Sequence, residues 1–437
     1  MEFGKHLEKG IWSFADKGLS VLYGVAYLVL VIRVLPQEEF GNFTLLQELF
    51  LIISGLATAF ALQPMLKYAV EEETNQKAVL SSALLMNIGF LLVFSLLVVV
   101  LRSPLSKILN SPGLEPLFLY LPVMLAASFI RNFALVLLQT RFLVKQIFVV
   151  DAMHFMGTPA LIYLYSKLHI FDSAFDLVTI SIISLSASSL VGLVVCRSML
   201  HFDFRVSAAE MRKMWDYGKY SFGGLVSYMV YAKSDTFILA SFGGAIPVAV
   251  YTAAKTFTRV FEMVSQVVQM FVLPATSKLS SKRDRTMLKI VVEKALAFST
   301  LGMIPAFLGF VLLASPLVSI LYQGRYADAI PLLQIFSLLS FIVPATAVSA
   351  NTLMGLGHAR LSFVLGIQVL FASVCIYLAF IPWLGALGAT IGYVLSSFFM
   401  AWIIIAKMNK YVPISFMELL RRTDDVKMFI KKRLART

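Results

Sequence analysis

"YMVYAKSDTFILASFGGAIP", residues 228–247, sets Lys233 and Asp235 inside a run otherwise apolar enough to cross a bilayer, then breaks on two glycines and a proline. The same kind of run recurs from end to end of the 437-residue chain. Each is about 20 residues long, enough to cross roughly 30 Å of hydrocarbon as a helix. The chain is 59% hydrophobic and only 14% charged, against about 25% charge in soluble domains. Backbone in lipid must satisfy its own hydrogen bonds, which leaves helices or closed barrels, and these runs are too long for barrel strands. The sequence therefore specifies an all-α polytopic membrane protein.

Reading outward from residues 228–247, twelve spans are expected, at about 11–35, 43–67, 78–101, 116–139, 146–168, 174–197, 217–242, 247–273, 290–314, 330–354, 361–381 and 386–407. Breakers divide them: "LPQEEFGN" after the first, "NSPGLEP" before the fourth, and "SFGGAIP" between the seventh and eighth. The first run is span-length, holds Asp16 and Lys17 and lacks a small-residue cleavage site, so it reads as an uncleaved span. Two cysteines in apolar segments imply no disulfide framework, and five scattered histidines have no metal-ligand spacing.

The net charge of +13 is a topology signal rather than a nucleic-acid footprint. With the N-terminus inside, 26 of the 37 lysines and arginines fall on the inner side, five in outer loops and six within spans. That asymmetry places both termini in the cytoplasm. The inner loop "SMLHFDFRVSAAEMRKMWD", 198–216, divides the spans six and six. A weak internal repeat agrees: Gly10-Ile-Trp-Ser-Phe14 matches Gly218-Lys-Tyr-Ser-Phe222, Pro64 matches Pro274, Asn132 matches Asn351 and Arg141 matches Arg360. Six spans per half preserve orientation, so the halves are expected to be parallel repeats. The expected organisation is a six-helix bundle over 1–200, a cytoplasmic linker over 201–216, a second bundle over 217–408 and a basic amphipathic tail over 409–437.

Ions within spans are costly and normally face protein or a polar cavity. On the eighth span Lys255, Arg259, Glu262, Gln266 and Gln269 fall within an arc of about 80° at 100° per residue. The seventh span has a matching stripe of Ser221, Gly224, Tyr228, Tyr231 and Asp235, with Lys233 on the opposite side, where it reads as an anchor at the membrane edge. A turn centred near Ala245 would set Asp235 against Lys255, Tyr231 against Arg259 and Tyr228 against Glu262. In the first half the stripe is Ser13, Asp16, Ser20, Gly24 and Tyr27. Arg131 lies about level with His154, and Asp151, His154 and Thr158 share a face. His154 reads as a hydrogen-bonded core histidine, with a proton relay as the alternative. Lys17 and Glu48 are read as either interfacial or facing the protein interior, and Glu293 and Lys294 as interfacial. Tyr23, Tyr27, Tyr228, Tyr231 and Trp12 are candidate platforms for sugar rings, with ordinary packing as the alternative.

These faces describe a central hydrophilic cavity with cations deep in the membrane. Arg259, Lys255, Arg131, Tyr231, Tyr228 and Asp16 are the candidate substrate-binding residues. Asp235, Glu262, Asp151 and His154 are candidates for ion coupling or pairing. Arginine holds phosphate bidentately and lysine adds a point charge, which favours an anionic substrate. No GxxxxGK[ST] motif is present, and no catalytic constellation sits in an outer loop of useful size, so neither an ATP-driven pump nor an enzyme is expected.

Five stretches, "RVLPQEEFGNF", "DTFILASFGGAIPVAVYTAA", "LYQGRYADAIPLLQIF", "LMGLGHARL" and "IPWLGALGATIGYVLS", are spread over nearly the whole chain. Through them the sequence resembles the polysaccharide transporter family of lipid-linked oligosaccharide flippases, in the superfamily that also holds MATE antiporters. The resemblance implies two six-helix bundles around a central cavity, in a bacterial inner membrane. It implies alternating-access transport of an oligosaccharide on undecaprenyl pyrophosphate, coupled to Na⁺ or H⁺ or uncoupled, with no other cofactor. Implied partners are membrane lipid and the polymerase and chain-length machinery of surface polysaccharide synthesis, with no nucleic acid. A MATE-type cation-coupled drug antiporter is the alternative, and the basic stripe of the eighth span counts against it.

Overall fold

The computed structural model describes residues 2–69, 75–200, 208–282 and 284–414. The described residues are helical, as a chain with this much lipid-facing backbone must be. They form two compact units, residues 1–249 and 250–437.

The first unit opens with α1 (Glu2–Val34) and α2 (Gln37–Ala57). A π turn over Thr58–Leu62 joins α2 to α3 (Gln63–Tyr68). Then come α4 (Gln76–Val100), α5 (Arg102–Ile108), α6 (Leu114–Leu117), α7 (Leu121–Thr140), α8 (Val144–Lys167), α9 (Ala174–Cys196) and α10 (Ala208–Gly243). α7, α8 and α9 pack together, α1 lies on α8, and α10 lies on α2, the π turn, α3 and α4. α10 begins at Ala208, so the second half of the expected linker is helix continuous with the seventh span. The expected tail lies outside the described residues from 415 onward.

The second unit holds α11 (Ala245–Lys255, which straddles the division), α12 (Arg259–Ser281), α13 (Arg285–Leu301), α14 (Ile304–Leu312), α15 (Ala314–Tyr322), α16 (Ala329–Phe336), α17 (Leu339–Gly355) and α18 (Ala359–Asn409). α17 packs on α12, α13 and α18.

Ten helices among the described residues are long and apolar enough to cross a membrane. One of them, Val364–Asn409, contains both of the last two expected spans. In one straight helix Tyr377 and Gly392 would stand about 22 Å apart, yet a Cβ on Gly392 would lie 2.8 Å from the Tyr377 ring. The chain doubles back at Gly385, whose φ of 54° and ψ of −128° suit glycine. α10 is outside the ten, because its ions dilute its apolarity, although it covers residues 217–242 in full.

The family-like stretches become packing devices in the first unit. Glu39 accepts a hydrogen bond from the Ala174 N–H at 2.8 Å and so caps α9. Gly41 lies so close to Ala245 that a Cβ on it would be 2.0 Å from the Ala245 carbonyl oxygen. Thus "RVLPQEEFGNF" meets the "SFGGAIP" turn. That turn needs Gly244 twice over: its φ is +75°, and a Cβ there would be 2.6 Å from the Asn110 carbonyl oxygen.

Pro64 explains the π turn. It brings no N–H, and its ring would crowd the carbonyl of Phe60 in a regular helix. The widened turn leaves that carbonyl facing α10, where Gly218 sits against it; a Cβ on Gly218 would be 2.2 Å from the Phe60 oxygen. Gly218→Ala should therefore destabilise the purified protein by roughly 1–3 kcal/mol, read as a lower melting temperature in detergent. Gly224→Ala, whose Cβ would meet nothing within 4 Å, should leave the melt unchanged or raise it.

Candidate functional site

Charges inside the first unit are answered by charges. Arg131 on α7 forms an ion pair with Asp151 on α8, both side chains largely buried. The Arg131 guanidinium also lies 5.8 Å from the centre of the Phe155 ring. Asp16 on α1 is buried and stands close enough to Asp151 for the two carboxyls to interact. The guanidinium thus pairs with one of two neighbouring carboxyls, and exposed Lys17 lies 3.9 Å from the other, Asp16. This brings together Arg131, Asp16 and Asp151, and it moves Arg131 from the expected phosphate contact to an internal pair. Arg131 meets Asp151, one turn from the His154 level expected, because the α7–α8 connection sets a slightly different register.

His154 sits in a hydrogen-bonded core cluster. Its Nδ1 is 3.0 Å from Ser184 Oγ, and the Thr158 hydroxyl donates to Ser184 Oγ at 2.8 Å. Ser188 donates to the Val150 carbonyl at 2.6 Å, and Ser189 accepts from the Arg131 N–H at 3.1 Å. The buried serines of α9, at 181, 184 and 188, were legible as an i, i+3, i+7 stripe, a signal the charges overshadowed.

Lys233 corrects its reading as an anchor. Its Nζ lies 2.6 Å from Glu48 Oε2 on α2, and both side chains are mostly buried. Because α10 packs on α2, the side of α10 opposite Asp235 faces protein, and Glu48 points inward with it. Asp235 is fully buried and its Oδ1 accepts from the Thr236 N–H at 2.7 Å. Glu293, expected at the interface, is also buried, 3.8 Å from Lys289.

The α10 stripe lines a cavity of about 620 Å³ wholly within the first unit. Ser54 of α2, Thr58 of the π turn, Gln63 of α3, Asn132 of α7, and Ser221 and Tyr228 of α10 give it polar walls, with no charged residue among its lining. Asn132 donates to Ser54 Oγ at 2.9 Å, while Arg131 donates to the Asn132 amide oxygen at 3.5 Å. Ser54, Gln63 and Asn132 are not marked as site residues by the sequence, since a single neutral residue per helix leaves no periodic signal. Tyr228 is 60% exposed at this cavity. Tyr23 and Tyr27, by contrast, are packing groups: Tyr23 stacks on Phe155 at 5.0 Å, and buried Tyr27 lies against Tyr23 and Phe43. Trp12 packs on Phe148 at 5.1 Å. Tyr231 is partly buried.

In the second unit the polar face of α12 is present and open: Arg259, Glu262, Gln266 and Gln269 are all exposed. Lys255 departs from it. A 3₁₀ turn over Thr256–Thr258 separates α11 from α12, and three residues at 120° rather than 100° rotate Lys255 by about 60° away from the stripe. Its Nζ lies over the rings of Tyr251, at 5.2 Å, and Tyr393, at 4.6 Å. Among the described residues no cluster of His, Cys, Asp and Glu has the makings of a metal site.

A family model described as "Polysaccharide biosynthesis protein" matches residues 30–331. The lipopolysaccharide biosynthesis protein WzxC of Escherichia coli K12 is 20% identical over 393 residues, covering 88% of this chain and 77% of its own length. The probable low-salt glycan biosynthesis flippase Agl15 of Haloferax volcanii is 24% identical over 194 residues, 44% of this chain. The chain spans only 40% of the length of Agl15 and 41% of that of an uncharacterized membrane protein of Methanocaldococcus jannaschii. Among solved structures, the lipid II flippase MurJ in an inward closed conformation superposes with a TM-score of 0.74 at 13% identity, over 98% of this chain and 93% of its own. An inward-facing MATE family multidrug resistance transporter gives 0.75 at 16%, over 90% and 94%. At these identities the structural likeness establishes the fold.

The Lys233–Glu48 pair gives a direct test of the α10 docking. Removing one partner of a buried pair costs roughly 3–5 kcal/mol. Lys233→Ala and Glu48→Ala should each lower the detergent melting temperature, and the swap Lys233→Glu with Glu48→Lys should recover most of the loss.

Proposed function

Because the chain belongs to the polysaccharide biosynthesis protein family, we propose that it is a flippase. It moves an oligosaccharide carried on undecaprenyl pyrophosphate from the cytoplasmic to the outer leaflet of a bacterial inner membrane, with both of its own termini cytoplasmic. The observation that carries this reading is the open polar face of α12, headed by Arg259, in a chain of this family. A guanidinium at a helix start presents a fork of N–H donors suited to a diphosphate. Lys255, held over Tyr251 and Tyr393, adds charge near the same end of α12.

The polyprenyl tail stays in lipid while alternating access carries the headgroup across, so no soluble lobe is required. Asp235 and Glu262 release the anion by competing for the same cations. Ion coupling falls to Asp151 with Asp16 beside it and His154 one turn along. Arg131 answers Asp151 while only exposed Lys17 lies beside Asp16, and a proton or Na⁺ can take the place of that Lys17 contact. The relatives named for glycan and lipopolysaccharide synthesis weigh against a drug antiporter, and so does a cavity with no carboxylate in its lining. The released glycan would pass to a polymerase and chain-length machinery on the outer side.

Replacing Arg259 and Lys255 together by alanine should abolish export of surface polysaccharide without lowering the amount of protein in the membrane. Export at the wild-type level from that double variant would remove the assigned role.

A further inference from the structure

The cavity of the first unit differs in chemistry from the exposed cationic face of α12. Its volume falls within the roughly 300–1,000 Å³ of small-molecule sites. Its polar groups are hydroxyls and amides only, and they come from four separate elements: α2 with its π turn, α3, α7 and α10. A pocket shaped for a hydrocarbon tail would not carry Gln63 and Asn132, whose burial under lipid costs free energy. A phosphate pocket would carry a cation, and a pocket for an organic cation would carry a carboxylate. Two buried ions near the lining residues in sequence are committed elsewhere, Arg131 to Asp151 and Lys233 to Glu48.

What remains is a set of neutral donors and acceptors beside an aromatic ring. That combination suits a ligand with hydroxyls around its edge and an apolar C–H face, which is a pyranose ring. Asn132 is aimed for this use: its amide oxygen is held by Arg131, so its NH₂ points toward Ser54 at the wall. Gly55 and Gly224 keep the floor low, and a side chain on Gly224 would grow into empty space.

We infer that this cavity is a subsite for the uncharged sugar rings of the glycan, distinct in its chemistry from the cationic face proposed for the pyrophosphate. The inference rests on the flippase reading, and it divides the headgroup between two chemistries. Sugar recognition belongs to Ser54, Gln63, Asn132, Ser221 and Tyr228; anion recognition belongs to the α12 face. Asn132 also ties the sugar subsite to the Arg131–Asp151 pair through a single hydrogen bond.

The test compares polyprenyl lipids that co-purify with the full-length protein from native membranes, quantified by mass spectrometry as bare carrier and glycan-bearing carrier. Gly224→Phe fills the cavity without meeting neighbouring atoms at its Cβ, and Gly223→Phe, also unhindered but one residue round the helix, is the control. A second variant, Gln63→Leu with Ser221→Ala, removes polar groups without adding bulk. Gly224→Phe and the polar variant should each lose at least fivefold of the glycan-bearing carrier while keeping the bare carrier, and Gly223→Phe should keep both. Equal retention of the glycan-bearing carrier by wild type and both cavity variants would overturn the subsite and leave the flippase reading standing. So would equal loss in the Gly223→Phe control. Failure of the wild type to retain either carrier would overturn both.

Discussion

A charge inside a bilayer has to be answered from within the protein, and the Lys233–Glu48 bond is where this constraint shapes most of the first unit. An ion near the middle of a spanning helix costs roughly 2.5–3.5 kcal/mol even on lenient scales. Pairing across α10 and α2 at 2.6 Å removes that penalty only while α10 stays docked. The dock has a second point of attachment, the Phe60 carbonyl displaced by Pro64, which Gly218 accommodates because it has no side chain. Between these two points lies the cavity, whose walls are the surfaces that α10, α2, the π turn and α3 do not bury against one another. A missing side chain and an ion pair thus create an uncharged space.

Much of the architecture was legible in the sequence. Length and apolarity decided an all-helical membrane protein, and most expected spans coincide with helices to within a few residues. Where the reading differed, a local physical cause can be named. The last two spans meet without a loop between them, because the chain reverses at Gly385, whose backbone departs from helical geometry. The eighth span is broken by a 3₁₀ turn that a uniform 100° rotation cannot anticipate, which separates Lys255 from Arg259. Lys233 was assigned to the membrane edge because helical periodicity gives the face of a residue but not what covers that face. The stretches that carry the family resemblance mostly mark caps and turns, as Glu39, Gly41 and Gly244 show, so they fixed the fold and left the chemistry unassigned.

The site was legible by class and less so by residue. Charged positions announced themselves, and Arg131, Asp16 and Asp151 do converge. Neutral cavity residues did not, because a lone serine or asparagine in an apolar helix looks like the many that bond their own backbone, as Ser265 and Thr276 do here. The fold itself is shared by a lipid II flippase and a multidrug transporter, so fold cannot choose between a glycolipid and a drug. What favours the glycolipid reading is where charge is placed: an exposed arginine at the start of α12, and ion pairs that occupy Asp151 and Glu48 where a cation-binding pocket would need its acids free.

The central claim is transport of a glycan-bearing carrier across the bilayer, and reconstitution measures it most directly. Purified protein would be placed in liposomes carrying undecaprenyl-pyrophosphate-linked oligosaccharide, with a glycosidase added outside only. Glycan initially protected in the inner leaflet should become digestible in liposomes that contain the protein, and stay protected in protein-free liposomes. A protected fraction that is the same with and without folded protein would contradict the account.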